Sequence, residues 1–127
     1  MLTIEFNNDV LKKIIIRYYE MIGIKACDVR FDTKEFCSDY VETNIIVDTV
    51  INIMGEEVNT TTIIDIDLLH EIVCFALPHV YVDEIEENYV TEYYRNEGFK
   101  KFCGIKIKAK MNNKELKKEC GLYGTWN

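Results

Sequence analysis

Alternating and helical hydrophobic patterns divide the start of the chain into two predicted elements. Residues 2–6 alternate apolar and polar side chains, which predicts a short strand. From about residue 9 to residue 22 apolar residues recur at helical spacing, and polar residues that suit an N-cap come before them. Gly23 is placed to end this helix in a left-handed conformation. The predicted buried face of the helix comprises Val10, Leu11, Ile14, Ile15, Tyr18 and Met21.

The segment that follows is dominated by strand patterns. Residues 26–32 alternate and predict a half-buried strand, whereas the polar residues 32–40 predict a loop. Residues 41–53 predict a long strand, and residues 58–64, which are rich in β-branched side chains, predict its return after a turn. The predicted inward residues are Cys27, Val29 and Phe31 on the first strand and Thr43, Ile45, Val47, Thr49, Ile51 and Ile53 on the second.

The second half of the chain predicts further helices. Residues 66–77 have an apolar helical face, a capping candidate in Asp65 or Asp67, and a stop at Pro78. Residues 80–94 begin with strand-like alternation, but their later apolar residues recur at helical spacing. We therefore expect an extended start followed by a helix over residues 83–96. Its buried stripe would include Tyr89 and Tyr93, whereas Tyr94 would be free for contact.

The last predicted strand covers residues 99–111, with Cys103, Ile105, Ile107 and Ala109 inward and lysines on the other face. Lysines suit an exposed sheet edge, so this is interpreted as an edge strand. A short helix is predicted over residues 113–119. The order of elements predicts a single α+β domain over residues 1–127, with a mostly antiparallel sheet of about five strands and two to four helices packed on it.

Composition fits one domain with its own core: 127 residues, 48% of them hydrophobic. The five cysteines are odd in number and none has the two-residue spacing of a zinc knuckle, which favours free thiols in a reducing compartment. No stretch has the pattern of a targeting signal or of a membrane span. We expect a cytoplasmic protein without a cofactor or a catalytic motif.

Charge is distributed unevenly along the chain, which has a net charge of −7. Residues 35–94 hold fourteen acidic residues and no lysine or arginine, whereas residues 95–127 hold three acids and nine bases. Carboxylates gathered on one side would create a negative potential that steers a cationic partner. The alternative is a solvated acidic face, or one that pairs with the basic C-terminal region.

The functional interpretation of this acidic middle is a surface that binds a basic host protein, such as a nucleic-acid-binding nuclease. The pattern is similar in kind to small phage proteins that block restriction or CRISPR nucleases by imitating a phosphate backbone, although no motif is matched. Such an inhibitor would act in the host cytoplasm without contacting nucleic acid or membrane. The candidate partner-binding residues are Glu42, Asp48, Glu56, Glu57, Asp83, Glu84, Glu86, Glu87, Glu92 and Tyr94.

Two alternatives belong to other functional classes. Asp65, Asp67 and His70 have a spacing that can hold a divalent metal, so a small metal-dependent enzyme or ligand-binding domain is the first. Cys37 or Cys74 with His70 or His79 is a weaker thiol pair of the same class. A structural or regulatory homodimer, paired along strand edges, is the second.

Overall fold

The computed structural model describes residues 1–37 and 40–111, and for Phe36 and Cys37 the backbone only. These residues form two antiparallel three-stranded sheets, in the orders β1-β6-β5 and β2-β3-β4, together with two helices. The α+β class is confirmed, but two sheets replace the single sheet of about five strands. The helix predicted over residues 113–119 lies outside the described part. The elements are β1 Leu2–Phe6, α1 Asn8–Met21, β2 Lys25–Cys37, β3 Tyr40–Ile53, β4 Glu56–Ile64, α2 Ile66–Ala76, β5 Val80–Tyr94 and β6 Glu97–Met111.

Helix α1 begins and ends as its sequence predicts. The side chain of Asn7 accepts a hydrogen bond from the backbone N–H of Val10 at 2.9 Å, and Gly23 has a φ of +82°. The buried face differs from the prediction: Val10 and Met21 are exposed, because the stripe that contacts the core is centred one position later. The residues of α1 that are buried are Leu11, Ile15, Tyr18 and Tyr19.

The predicted loop over residues 32–40 is wrong. Strand β2 continues through it to Cys37, and its ladder with β3 includes the pairs Thr33–Thr43 and Glu35–Val41. Polar side chains do not prevent a strand when a neighbouring strand satisfies its backbone groups.

A β-bulge at Cys27 reverses the predicted faces at the start of β2. Ala26 pairs with Thr49 and Asp28 with Asp48, so Cys27 is an extra residue without a partner in the ladder. As a result Cys27 is exposed and Ala26 packs against the core, contrary to the alternation in the sequence.

The helix predicted over residues 83–96 is also wrong, because β5 extends without interruption to Tyr94. A two-residue turn at Arg95 and Asn96, both with positive φ, leads directly into β6. The extra residue Asp83 forms a bulge in the ladder. It places the apolar inward side chains Val82, Ile85 and Tyr89 three and four residues apart, a spacing that resembles one face of a helix.

The core lies between the helices and the inner faces of both sheets. Strand β6 is the central strand of its sheet rather than an edge, since β1 and β5 pair on either side of it. Side chains join the two sheets: the ring centroids of Phe31 and Phe102 lie 4.9 Å apart, and those of Tyr89 and Phe102 lie 5.9 Å apart. The most deeply buried side chains are Leu11, Ile15, Val29, Val47, Ile72, Val73, Ile105 and Ile107.

Gly104 allows β6 to change which residues face inward. Asn88 pairs with Gly104 and Tyr89 with Phe102, so Cys103 is an extra residue and Phe102 turns into the core. Gly104 has a φ of +125°, and a Cβ at this position would overlap the carbonyl oxygen of Phe6. A residue without a side chain is therefore required here.

We expect Gly104→Ala to destabilise the protein by about 3 kcal/mol or more, because it combines a disfavoured φ with overlap against backbone. Urea unfolding monitored by circular dichroism measures the change. Gly55→Ala is the matched control, since Gly55 has a φ of +84° with nothing within 4 Å of the added Cβ. Its cost should be only about 1–2 kcal/mol. Equal losses in the two variants would contradict this account of Gly104.

Candidate functional site

The outer face of the sheet β1-β6-β5 alternates acidic and basic side chains across its strands. The Nζ of Lys108 lies 3.1 Å from Glu86 and 3.6 Å from Glu84, and the Nζ of Lys106 lies 4.0 Å from Glu5. The hydrogen bond from Lys108, with its positive charge, holds the pKa of Glu86 below its usual value, and the same contact raises the pKa of Lys108. This face is therefore close to neutral rather than a row of free carboxylates.

Two more candidate carboxylates have basic partners. Arg30 donates to Asp48 from Nε at 3.1 Å and from Nη2 at 3.0 Å, and this bidentate contact lowers the pKa of the carboxyl. The hydroxyl of Thr61 donates to Asp48 at 3.1 Å and lowers the pKa further. The Nζ of Lys101 lies 3.3 Å from Glu92. Of the nine candidate carboxylates, four are therefore held in ion pairs.

The remaining five carboxylates lie in three separate places. Glu56 and Glu57 begin β4, Asp83 is at the bulge of β5, and Glu42 and Glu87 lie beside Tyr89. Within the described ranges none of the five forms an ion pair. The acidic middle of the chain is thus divided in space. Sequence reasoning could not show this, because the neutralising lysines come from β6, which is distant along the chain.

Hydrogen bonds between side chains connect the two sheets at Tyr89. The hydroxyl of Tyr89 donates to a carboxylate oxygen of Glu87, so its oxygen accepts from Thr43 at 2.8 Å. Thr43 in turn accepts from Thr33 at 2.9 Å. Burial, the hydrogen bond to Glu87 and the charges of Glu87 and Glu42 raise the pKa of Tyr89 to about 12. Burial is the largest cause of this shift, and the charges of Glu87 and Glu42 add to it.

The far end of the β5–β6 hairpin extends beyond the core. Every residue from 90 to 100 is exposed, including Tyr93 at 77% and Tyr94 at 65%. The guanidinium of Arg95 lies 5.3 Å from the ring centroid of Tyr94. The ring of Tyr93 lies against Gly98, where a Cβ would come within 3.3 Å of it. The prediction that Tyr93 is buried is wrong, because it assumed a helix in this segment.

The candidate metal and thiol groups have local partners on α2. The carboxylate of Asp65 accepts from the backbone N–H of Leu68 at 2.8 Å and so serves as the N-cap. The Nε2 of His70 lies 3.2 Å from the carbonyl oxygen of Val82, and its Nδ1 lies 3.6 Å from Cys74 Sγ. In the parts of the chain that the structure describes, no three ligand-type side chains are grouped to hold a metal.

A cleft of about 570 Å³ separates β2 from β6 near the start of α1. Four basic side chains line it, but each has a partner: Arg30 bonds Asp48, Lys101 pairs with Glu92, Lys100 donates to Thr91, and Lys12 lies 5.6 Å from the ring centroid of Phe31. Only Arg30 and Lys101 are paired with carboxylates in this way, whereas the threonine hydroxyl and the aromatic ring leave the charges of Lys100 and Lys12 in place.

Comparison of the chain with protein-family models, with curated proteins and with solved structures gives no match. Among the described residues, neither helix is long and apolar enough to cross a bilayer. Three further lysines of the basic C-terminal region, Lys114, Lys117 and Lys118, lie outside the described part. Any function must therefore be argued from the geometry above.

We expect Lys108→Gln to raise the pKa of Glu86 toward its ordinary value, because the bonding cation is removed. A carboxyl whose pKa is lowered by folding adds stability at neutral pH that is lost as the pH falls through its folded-state pKa. NMR titration of the side-chain carboxyl carbons measures the shift. Lys110→Gln, on the same strand and without an ion pair among the described residues, should leave Glu86 unchanged; an equal shift in that control would contradict the pairing.

We expect Glu87→Gln to lower the pKa of Tyr89 from about 12, since a negative charge is removed while an oxygen remains to accept the hydrogen bond. Burial should still keep that pKa above the ordinary value. Absorbance of tyrosinate during alkaline titration, compared with Tyr89→Phe to identify the signal, measures the change. Glu92→Gln on the same strand should have no effect on Tyr89, and a Tyr89 pKa unmoved by Glu87→Gln would refute this account of the potential.

Proposed function

We propose that this protein is a small binding protein that docks a basic partner protein where its two long hairpins meet. The proposed docking surface consists of Glu42, Glu87, Tyr89 and Tyr93, and we call it the hairpin junction. One observation carries the proposal: Glu42 and Glu87, which form no ion pair among the described residues, both act on Tyr89, and Tyr93, four residues further along the same side of β5, is 77% exposed. The proposal keeps the basic partner that the sequence predicts. It restricts the binding surface on this protein to the hairpin junction.

The electrostatics of the hairpin junction favour a cationic ligand. Glu42 and Glu87 both act on Tyr89, and neither forms an ion pair within the described ranges, although Lys34 stands opposite Glu42 in the ladder of β2 with β3. Complementary charge steers association and selects among partners. On the outer face of the sheet β1-β6-β5, by contrast, Lys106 and Lys108 already neutralise their acidic neighbours, so that face has little to offer a basic protein.

The aromatic part of the junction supplies contact area. Tyr89, Thr91 and Tyr93 point to the same side of β5, since their ladder with β6 is regular over that stretch. A tyrosine held on a strand presents a large, rigid surface that loses little conformational entropy on binding, and tyrosine is enriched among residues that dominate binding energy. Tyr94 on the opposite side, against Arg95, extends the contact area to both faces of the hairpin.

The finer form of the proposal is a phage-encoded inhibitor that occupies the nucleic-acid channel of a defence nuclease. Small size and an acidic junction support it. Imitation of a whole duplex needs a continuous row of free carboxylates, and the pairing of Asp48, Glu84, Glu86 and Glu92 does not supply one. The proposal therefore rests on a local acidic and aromatic contact. The alternative of a metal-dependent enzyme using Asp65, Asp67 and His70 has no comparable observation in its favour.

Affinity capture from a bacterial lysate tests the proposal. We expect wild-type protein to retain a basic protein that Glu42→Lys/Glu87→Lys and Tyr93→Ala do not retain. Because the contact joins opposite charges, retention should also weaken steeply as ionic strength rises. Quantitative mass spectrometry of the eluates measures the loss, and tenfold or more is expected for the charge-reversal variant.

The matched control is Glu56→Lys/Glu57→Lys, which makes the same change in net charge at unpaired carboxylates. These residues begin β4, at the far end of β3, roughly 35 Å from Glu42 at about 3.3 Å per residue. Capture by the control should equal that by the wild type. Equal loss in both double variants would show an effect of total charge alone and would overturn the proposed site.

A further inference from the structure

Helix α2 holds a histidine and a cysteine, one turn apart, whose side chains are in contact. The Nδ1 of His70 lies 3.6 Å from Cys74 Sγ, which is within hydrogen-bond reach for sulfur. The spacing of four residues places the two on the same face of the helix. Cys74 is half-buried and His70 is exposed, so a small reagent in solution can reach the pair.

The second ring nitrogen of His70 determines which proton the pair can exchange. Its Nε2 lies 3.2 Å from the carbonyl oxygen of Val82, an atom that can only accept a hydrogen bond. Nε2 therefore carries the ring proton. In the neutral imidazole, Nδ1 is then left with a free lone pair on the side of Cys74, and the thiol of Cys74 donates to it. The contact thus places a nucleophile beside a base.

Strand β5 holds the base in this orientation. The side chain of Val82 packs against the core, so the carbonyl that accepts from His70 belongs to an anchored part of the backbone. A nucleophile within reach of a base, with the base oriented by a third group, is the arrangement that activates cysteine for attack on an electrophile. Cys74, His70 and the carbonyl of Val82 have this arrangement at an accessible helix face.

The charged side chains on the helix of Cys74 are all negative. Glu71 and Asp67 lie about one and two turns before Cys74, and α2 contains no lysine or arginine. Within the described ranges neither carboxylate forms an ion pair. Burial and the charge of Glu71 raise the pKa of Tyr18 on the neighbouring helix α1, which shows that this carboxylate acts on its surroundings. Such a site attracts a cationic reagent and repels an anionic one.

We propose that Cys74 is a modification site for cationic disulfides of low molecular weight, with His70 as its base. The Sγ of Cys74 attacks one sulfur of the disulfide, so that a new S–S bond forms and the original S–S bond breaks. The thiol proton moves to Nδ1 of His70 and then to the departing thiolate. Cys74 is oxidised to a mixed disulfide, and the released half of the reagent is reduced to a thiol. The disulfide is itself the oxidant.

Reaction with cystamine, a cationic disulfide, tests the proposal. Peptide mapping by mass spectrometry follows the modification of each cysteine over time, and Cys103 on β6, half-buried like Cys74, is the internal reference. We expect Cys74 to react about tenfold faster than Cys103. Cys74 should also prefer cystamine to the anionic glutathione disulfide, after each rate is divided by that of the same reagent with the urea-unfolded chain.

The variant His70→Gln removes the base but keeps an amide that can donate to the carbonyl of Val82. It should lower the rate at Cys74 about tenfold and leave the rate at Cys103 unchanged. Circular dichroism should match the wild type, since His70 is exposed. If the variant does not fold, the ratio of the Cys74 and Cys103 rates in the wild type still decides.

Three results would each overturn the proposal. The first is a wild type in which Cys74 reacts no faster than Cys103. The second is a folded His70→Gln variant in which Cys74 keeps its full rate, and the third is a corrected preference of Cys74 for glutathione disulfide over cystamine.

Discussion

The packing of Phe102 against Phe31 and Tyr89 is the contact on which the rest of the structure depends. Among the described strands the two sheets share no backbone ladder, and these rings join them at the point where the core ends and the long hairpin begins. Phe102 can turn inward only because Cys103 is an extra residue in β6 and because Gly104 has no side chain to meet β1. One glycine and one bulge therefore set the relation of the sheets and the position of Tyr89 beside Glu42 and Glu87.

Neutralisation between distant segments determines what the acidic middle of the chain can do. Strand β6 carries its lysines into the centre of the sheet β1-β6-β5, where they meet Glu84, Glu86 and Glu92 on the neighbouring strand β5. Exposed pairs of this kind contribute little stability singly, but they cancel the long-range field of the acids. The unpaired candidate acids that remain are local: Glu42 and Glu87 near Tyr89, Asp83 at the bulge of β5, and Glu56 and Glu57 at the start of β4. Residues 35–94 contain acidic but no basic side chains, yet in the fold they contribute to a surface that carries both charges.

Sequence patterns predicted the elements whose hydrophobic period is undisturbed. Helix α1 with its cap at Asn7, helix α2 with its cap at Asp65, and the strands β1, β3 and β4 all follow from period and capping alone. Two of the failures coincide with bulges. At Asp83 one extra residue turned strand alternation into an apparent helical spacing, and at Cys27 it turned Ala26 rather than Cys27 toward the core at the start of β2. A bulge leaves no reliable mark in a single sequence, because any residue can occupy it.

The sequence by itself determined the α+β class, the net charge of −7, and the candidate acids from which the site is drawn. Only the tertiary structure decided which of those acids are free, because ion pairs join strands that are distant along the chain. It also decided that Tyr93 is exposed and that the ring of His70 lies between Cys74 and the carbonyl of Val82. Exposure and pairing are properties of neighbours in space, whereas a sequence records only neighbours along the chain.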